Sequence, residues 1–304
     1  MSRTMLGTCA ILLGCALVMP LLADSATERS SETGAEVAAG AAPAEMPAEM
    51  PAETSAEIPA ETPAEIAKRE YDEVLALTPN VERGRAVYLT CAVCHLPEGW
   101  GSVDGMYPQI AGQLRTVVIK QLADFRAGNR ENPLMYPFSV PSILGGPQEL
   151  ADVAAYVAAL PMTASNGLGS GTDLVLGESL YGEHCADCHG AAGEGDEAEH
   201  IPAIAGQHYA YLMRQFDAIR SGKRKNADSK MTEEIQGFSA EQQQAVMDYT
   251  SRLRPPADKL AAEGWRNPDF PRYVRDAMGL RVAPPAKLAP SAPAPASTVP
   301  SRPQ

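Results

Sequence analysis

Cysteine, histidine, aromatic residues and positive charge are all in short supply in this 304-residue chain. Each shortage removes a class of reading. Six cysteines are present, of which Cys9 and Cys15 sit in an apolar stretch near the start and the other four fall into two short motifs, so no thiol is left over for a separate role. Five histidines leave His95 as the only one before His184. Aromatic residues make up 6% of the chain, and 38 acidic against 25 basic residues give a formal charge of −13, so nothing basic or aromatic-rich points to nucleic acid. Sustained alternation of polar and apolar residues is also missing, which argues against a β fold.

What is present is a pentapeptide written twice: Cys91-Ala92-Val93-Cys94-His95 and Cys185-Ala186-Asp187-Cys188-His189. The spacing C-x-x-C-H lets two thiols add to the vinyl groups of one haem while the adjacent imidazole binds its iron. The pair therefore predicts two covalently bound haem c groups. A dithiol redox motif or half a zinc site explains the cysteines but not the histidine that follows each pair.

The segment Met5 to Leu22 follows Arg3 and is apolar enough for residues 1–23 to read as a signal peptide or an N-terminal membrane anchor. No twin arginine precedes it. Leu12-Leu13-Gly14-Cys15 resembles a lipobox, with Leu13 out of place. From 24 to 66 the chain turns to Ala, Pro and Glu with a four-residue beat. This acidic stretch holds −9 of the net charge, which with Arg3 leaves −5 for residues 67–304. Recurrent proline, self-repelling glutamates and little to bury predict an extended tether, on the order of 100 Å at ~3.1 Å per residue. After an apolar segment, that reads either as a membrane tether or as a spacer on a soluble protein.

The rest contains an internal repeat at an offset of 94, which aligns Cys91 with Cys185, Pro108 with Pro202, Gln113 with Gln207 and Arg126 with Arg220. The expected organisation is one haem domain over 67–160, a Gly/Ser-rich linker over 161–174, a second domain over 175–255 and an extension over 256–304. Three helices are expected per unit. The first, about Val81 to Thr90 and Leu176 to Glu183, carries Gly84 with Tyr88 and Gly177 with Tyr181 on one face. The second runs from about Gln113 to Ala127 and Gln207 to Ser221, and Gly128 and Gly222 close it. The third starts at Pro147 in one unit and in the other at Ser239, where Ser239-Ala-Glu-Gln242 reads as a capping box. The extension carries Trp265, Phe270 and Tyr273 before a Pro/Ala/Ser-rich tail that reads as disordered.

The two C-x-x-C-H motifs, Pro108-Gln-Ile-Ala-Gly-Gln113 with Pro202-Ala-Ile-Ala-Gly-Gln207, and the helix ends Gln121-Leu122 to Arg130 and Gln215-Phe216 to Arg224 carry a family resemblance. Over about residues 75–255 the chain resembles a dihaem cytochrome c of the cytochrome c4 family, all-α, with two class I cytochrome c domains in tandem, each wrapped round one haem. The resemblance implies a periplasmic electron carrier that takes electrons from a quinol-oxidising or other donor complex and passes them to a terminal oxidase. It also implies that the carbonyls of Pro108 and Pro202 accept a hydrogen bond from His95 and His189. Leu96 departs from the pattern, since Gly190 follows the second motif, and residues 1–70 and 256–304 have no counterpart in it.

The sixth iron ligand separates a carrier from a catalyst. With His95 alone in the first unit, the candidates there are Met106 and Met135, with Met162 in the linker a poor third. Met106 aligns with His200 and breaks the repeat, whereas Met135 and Met231 each follow the second helix's terminal arginine by a few residues. The expected axial pairs are His95 with Met135 and His189 with Met231. His200 competes in the second unit; His184 and His208 read as surface or packing residues, and Met213 and Met247 as core. A thioether favours ferrous iron, and a six-coordinate site changes oxidation state with little rearrangement. Two other readings stand beside the carrier: the cytochrome subunit of a larger dehydrogenase or oxidase, and a peroxidase-like haem enzyme with an open distal site.

Overall fold

The computed structural model describes residues 60–277. The apolar segment 1–23, residues 24–59 of the Ala/Pro/Glu stretch and the tail from 278 lie outside the described residues. Twelve α-helices follow in order: α1 (Pro63–Leu75), α2 (Val81–His95), α3 (Arg115–Ala127), α4 (Tyr136–Ser139), α5 (Pro141–Leu144), α6 (Pro147–Ala159), α7 (Leu174–His184), α8 (Ala186–His189), α9 (Tyr209–Arg220), α10 (Ser229–Ile235), α11 (Ala240–Arg252) and α12 (Arg272–Ala277). Among the described residues only two isolated β-bridges occur outside helices and turns. No helix there is long and apolar enough to cross a membrane.

Helix α1 begins inside the stretch that composition reads as an extended tether. Thr62 and Glu65 cap each other's backbone amides, and Pro63 occupies the first helical position, where its missing N–H costs nothing. Ala67 and Val74 then fall on one face and are buried, Val74 in the first core, and Glu70 pairs with Arg126. Residues 63–66, expected to be part of the extended stretch, are thus helical.

In each unit the first and third helices cross at a glycine. A Cβ on Gly84 would lie 2.1 Å from the Asp152 carbonyl oxygen, and one on Gly177 2.2 Å from that of Ala245. Around these crossings two cores form, one with Tyr88, Ile119, Leu150 and Val153, the other with Tyr181, Phe216, Ile235 and Val246. Asp152 lies in the first crossing. Burial alone would push its carboxyl up, but donors from Arg83 Nε (2.7 Å), the Asn80 amide (2.6 Å) and Gln148 (2.8 Å) outweigh this and hold it below its ordinary 3.8. A carboxylate depressed by folding stabilises the fold above its unfolded pKa and loses that contribution as pH falls through the folded value. Asp152→Asn is therefore expected to be less stable at neutral pH and to lack part of the wild type's loss below about pH 4. Thermal melts between pH 3 and 7 check this.

The repeated Pro-x-Ile-Ala-Gly-Gln segments hold the units together. The Gln113 side chain donates to the Ala203 carbonyl (2.9 Å) and accepts from its amide (3.0 Å), and the Gln207 side chain does the same with Gln109 (2.9 and 3.0 Å). These two amide pairs are equivalent under the repeat, as expected for units facing each other across an approximate two-fold axis. A second reciprocal cluster lies at the ends of α3 and α9. Arg130 donates to Gln121 and to Gln215 of the other unit, and Arg224 donates to the same two side chains. Burial first, then the neighbouring Arg130, pushes the Arg224 guanidinium down to about 10, so it stays charged at neutral pH.

Candidate haem centres

The motif cysteines occupy corresponding places at the ends of the first helices, and none is joined in a disulfide. Burial pushes the free Cys91 and Cys185 thiols up to about 12. In the first unit α2 runs unbroken through the motif to His95. In the second, the chain breaks at Cys185 (φ −121°, ψ −38°), and α8 carries His189. The cause is one residue: three steps separate Tyr88 from Cys91, but four separate Tyr181 from Cys185. Both tyrosines nevertheless reach the same target. Tyr88 Oη donates to the Leu96 carbonyl at 2.8 Å and Tyr181 Oη to that of Gly190 at 2.7 Å. An unbroken helix with the extra residue would carry Tyr181 round by ~100° and off that line.

The histidines are fixed in the same way twice. His95 Nδ1 lies 3.0 Å from the Pro108 carbonyl, and His189 Nδ1 lies 3.0 Å from that of Pro202. A carbonyl only accepts, so Nδ1 carries the proton and the Nε2 lone pair is free for a metal. Burial pushes both imidazoles down, partly opposed by these hydrogen bonds, and so favours the neutral form that ligation needs. The Gly101 and Gly195 amides close each turn onto the His95 and His189 carbonyls (3.0 and 2.8 Å).

Paired free thiols, a neutral imidazole with Nε2 available and an apolar wall form a donor set that fits haem c in each unit. The sequence candidates for the sixth ligand are placed as follows. Met135 is half-buried at the N-cap of α4, and Met231 lies in α10 against the second core. Met106 is exposed, while Met162 is buried beside Gly112 and bridged to Leu260. The remaining histidines have other partners. His208 accepts from the Gly167 amide at 3.0 Å and faces the Trp100 carbonyl at 2.8 Å, His184 faces Glu234 at 2.6 Å, and His200 lies against the Tyr71 hydroxyl at 2.8 Å. Sequence reasoning treated Tyr88 and Tyr181 as packing rings and missed their hydroxyl bonds; the shared i,i+4 glycine was the available signal.

Comparison with known proteins agrees with this geometry. The family model described as Cytochrome c matches residues 81–161 and again 174–254, together more than half of the chain. A thiosulfate dehydrogenase electron acceptor from Stutzerimonas stutzeri (strain A1501) is 33% identical over 175 residues, covering 54% of this chain and 79% of that one. Cytochrome c4 from Thiocapsa roseopersicina is 33% identical over 150 residues, covering 46% and 74%. Among solved structures, reduced recombinant cytochrome c4 from Pseudomonas stutzeri superposes with a TM-score of 0.52 at 26% identity, covering 58% of this chain and all of that one. Two tandem haem domains of one fold, each with its own C-x-x-C-H site, and these relatives together place the chain in the cytochrome c family, among the dihaem cytochromes of the c4 type that carry two covalently bound haem c groups.

Proposed function

We propose that this chain relays single electrons between two redox proteins outside the cytoplasmic membrane, with Cys91, Cys94, Cys185 and Cys188 attaching the haems and with His95/Met135 and His189/Met231 as axial pairs. The observation that carries the reading is the twice-built histidine, whose Nδ1 is held 3.0 Å from a proline carbonyl in both units. The haem iron supplies a ferric/ferrous couple. The protein's part is to fix each imidazole, raise its basicity through that carbonyl and keep the site closed. From 174 to 213 the second unit has seven acids and no Lys or Arg, a field that steers a basic partner. The donor is a respiratory or substrate-oxidising complex and the acceptor a terminal oxidase. A relative named as a thiosulfate dehydrogenase electron acceptor favours a second reading, in which this chain serves one dehydrogenase as its dedicated cytochrome.

The experiment is the red-region methionine-to-ferric-iron absorption of the oxidised protein, quantified per haem. Two equivalents support two closed carrier sites; one or none returns a peroxidase-like site with an open distal position. Copurification with a dehydrogenase separates the second reading from the first.

The crossed glutamines predict an effect at a distance. Gln207 belongs to the second unit but binds both backbone groups of Gln109, the residue next to the carbonyl that orients His95. Gln207→Leu is expected to shift the potential of the first haem more than that of the second, by a few tens of mV at ~59 mV per decade. Potentiometry with the two haems resolved by NMR checks which one moves.

A further inference from the structure

The C-terminal extension lies outside both matched domains, yet it returns to the first unit and seats itself on the turn that follows His95. After α11 the chain pairs with the linker, with the Met162 amide donating to the Lys259 carbonyl (2.7 Å) and the Ala261 amide to the Met162 carbonyl (2.9 Å). Trp265 then packs on Trp100, with ring centroids 5.8 Å apart, and Phe270 enters the first core beside Tyr88. Between them Asn267, 2% exposed, donates from Nδ2 to the Pro97 carbonyl at 2.6 Å and to the Tyr156 hydroxyl at 3.0 Å. Its amide faces Glu98 at 3.3 Å, and Glu98 forms a buried ion pair with Arg275 at 2.6 Å.

The strap grips Pro97 and Glu98, the two residues after Leu96. Leu96 has φ +67° and ψ 158°, a conformation that a side chain disfavours and that persists only where the surroundings over-determine it. Gly190 has almost the same backbone in the second unit, φ 82° and ψ 156°, where glycine adopts it freely. There Ala191 and Ala192 replace Pro97 and Glu98 and are exposed, whereas Pro97 and Glu98 are buried. One unit has a strained turn and a clamp; the other has a relaxed turn and an open surface.

We infer that Asn267, with the strap around it, is a positioning residue for the first haem site, holding the strained Leu96 turn so that His95 keeps its orientation. The inference rests on the reading of His95 as an iron ligand. It makes the two haems inequivalent by construction, because one proximal turn depends on a segment 170 residues away and the other does not.

The test is a double-mutant cycle in the full-length holoprotein, reading the midpoint potentials of both haems. Asn267→Ala is expected to raise the potential of the first haem, since a loosened imidazole is a weaker donor, with about a threefold change in its reduced-to-oxidised ratio at fixed poise. The second haem should stay in place. In the Leu96→Gly background the same substitution should have little effect on the first haem, because the turn no longer needs holding. If Asn267→Ala prevents folding, Asn267→Ser, which keeps a shorter donor, is carried through the same cycle. Equal shifts in the two backgrounds, movement of both haems together, or no movement of the first would overturn the inference. A spectrum in which His95 is not an axial ligand would instead overturn the reading beneath it.

Discussion

Gly84→Ala is expected to destabilise the protein by ~3 kcal/mol, at the upper end of what overpacking costs. For a folded region of this size that lowers the melting temperature by about 6–12 °C. Helix propensity points the other way, because alanine in a helix interior gains up to ~1 kcal/mol over glycine. The contact decides the sign. The new methyl would sit 2.1 Å from the Asp152 carbonyl oxygen, which is backbone inside α6 and has no rotamer through which to yield. The helices would have to separate, but α2 ends at His95, whose ring is held by the Pro108 carbonyl, and its start is tied to α6 through Arg83 and Asp152. Gly177→Ala should cost a similar amount against Ala245. Gly182 serves as the control, since it is helical but a Cβ there would meet nothing, so Gly182→Ala should gain up to ~1 kcal/mol. Melts of the three variants by far-UV circular dichroism check the prediction; a stabilised Gly84→Ala would mean that the helices do not cross there.

Those crossings were legible because Gly84 and Tyr88, and Gly177 and Tyr181, stand at helical spacing before each motif. The capping box at Ser239 and the closing glycine at Gly128 were legible for the same reason: each is a local rule. The start of α1 was not, since a proline and glutamate beat reads as an extended chain until Thr62, Pro63 and Glu65 are seen to cap a helix together. The break at Cys185 was hidden by the way the repeat was registered. The offset of 94 was taken from the cysteines onward, whereas the tyrosines before them differ by 93. The glutamines that join the units were visible only as a shared motif. Nothing local in a repeated segment says that its two copies bind each other. The strap was legible as aromatic residues in an extension, but its hold on Pro97 and Glu98 spans about 170 residues and leaves no periodic trace. Leu96 stood out as a departure from Gly190, and only its backbone angles show that the departure carries strain.

Met135→Ala is expected to lower the potential of one haem by on the order of 0.1 V, because axial-ligand identity is among the strongest settings of a haem potential and a thioether favours ferrous iron. Met231→Ala should do the same to the other haem. Each substitution should halve the methionine-to-iron absorption and leave one ferric site open to added imidazole or cyanide. The backbone at both methionines is anchored. Met135 is half-buried at a helix start, with its amide held by the Asn132 carbonyl at 3.1 Å, and Met231 is positioned by the Asp228 cap, which accepts from its amide at 3.2 Å. Met106 is 55% exposed on a turn whose amide is tied to Asp104, and its counterpart His200 is engaged by Tyr71. Met162 is committed to packing over Gly112 and to the bridge with Leu260, and moving it would unseat the strap. If Met135→Ala leaves both potentials and the full absorption in place, then Met106→Ala should remove half of it, and the distal methionines of the two units would sit at different places in the repeat. Loss of one methionine-to-iron band to each of Met135→Ala and Met231→Ala is what two closed His/Met sites require, since each such site keeps the same six-coordinate iron before and after every electron.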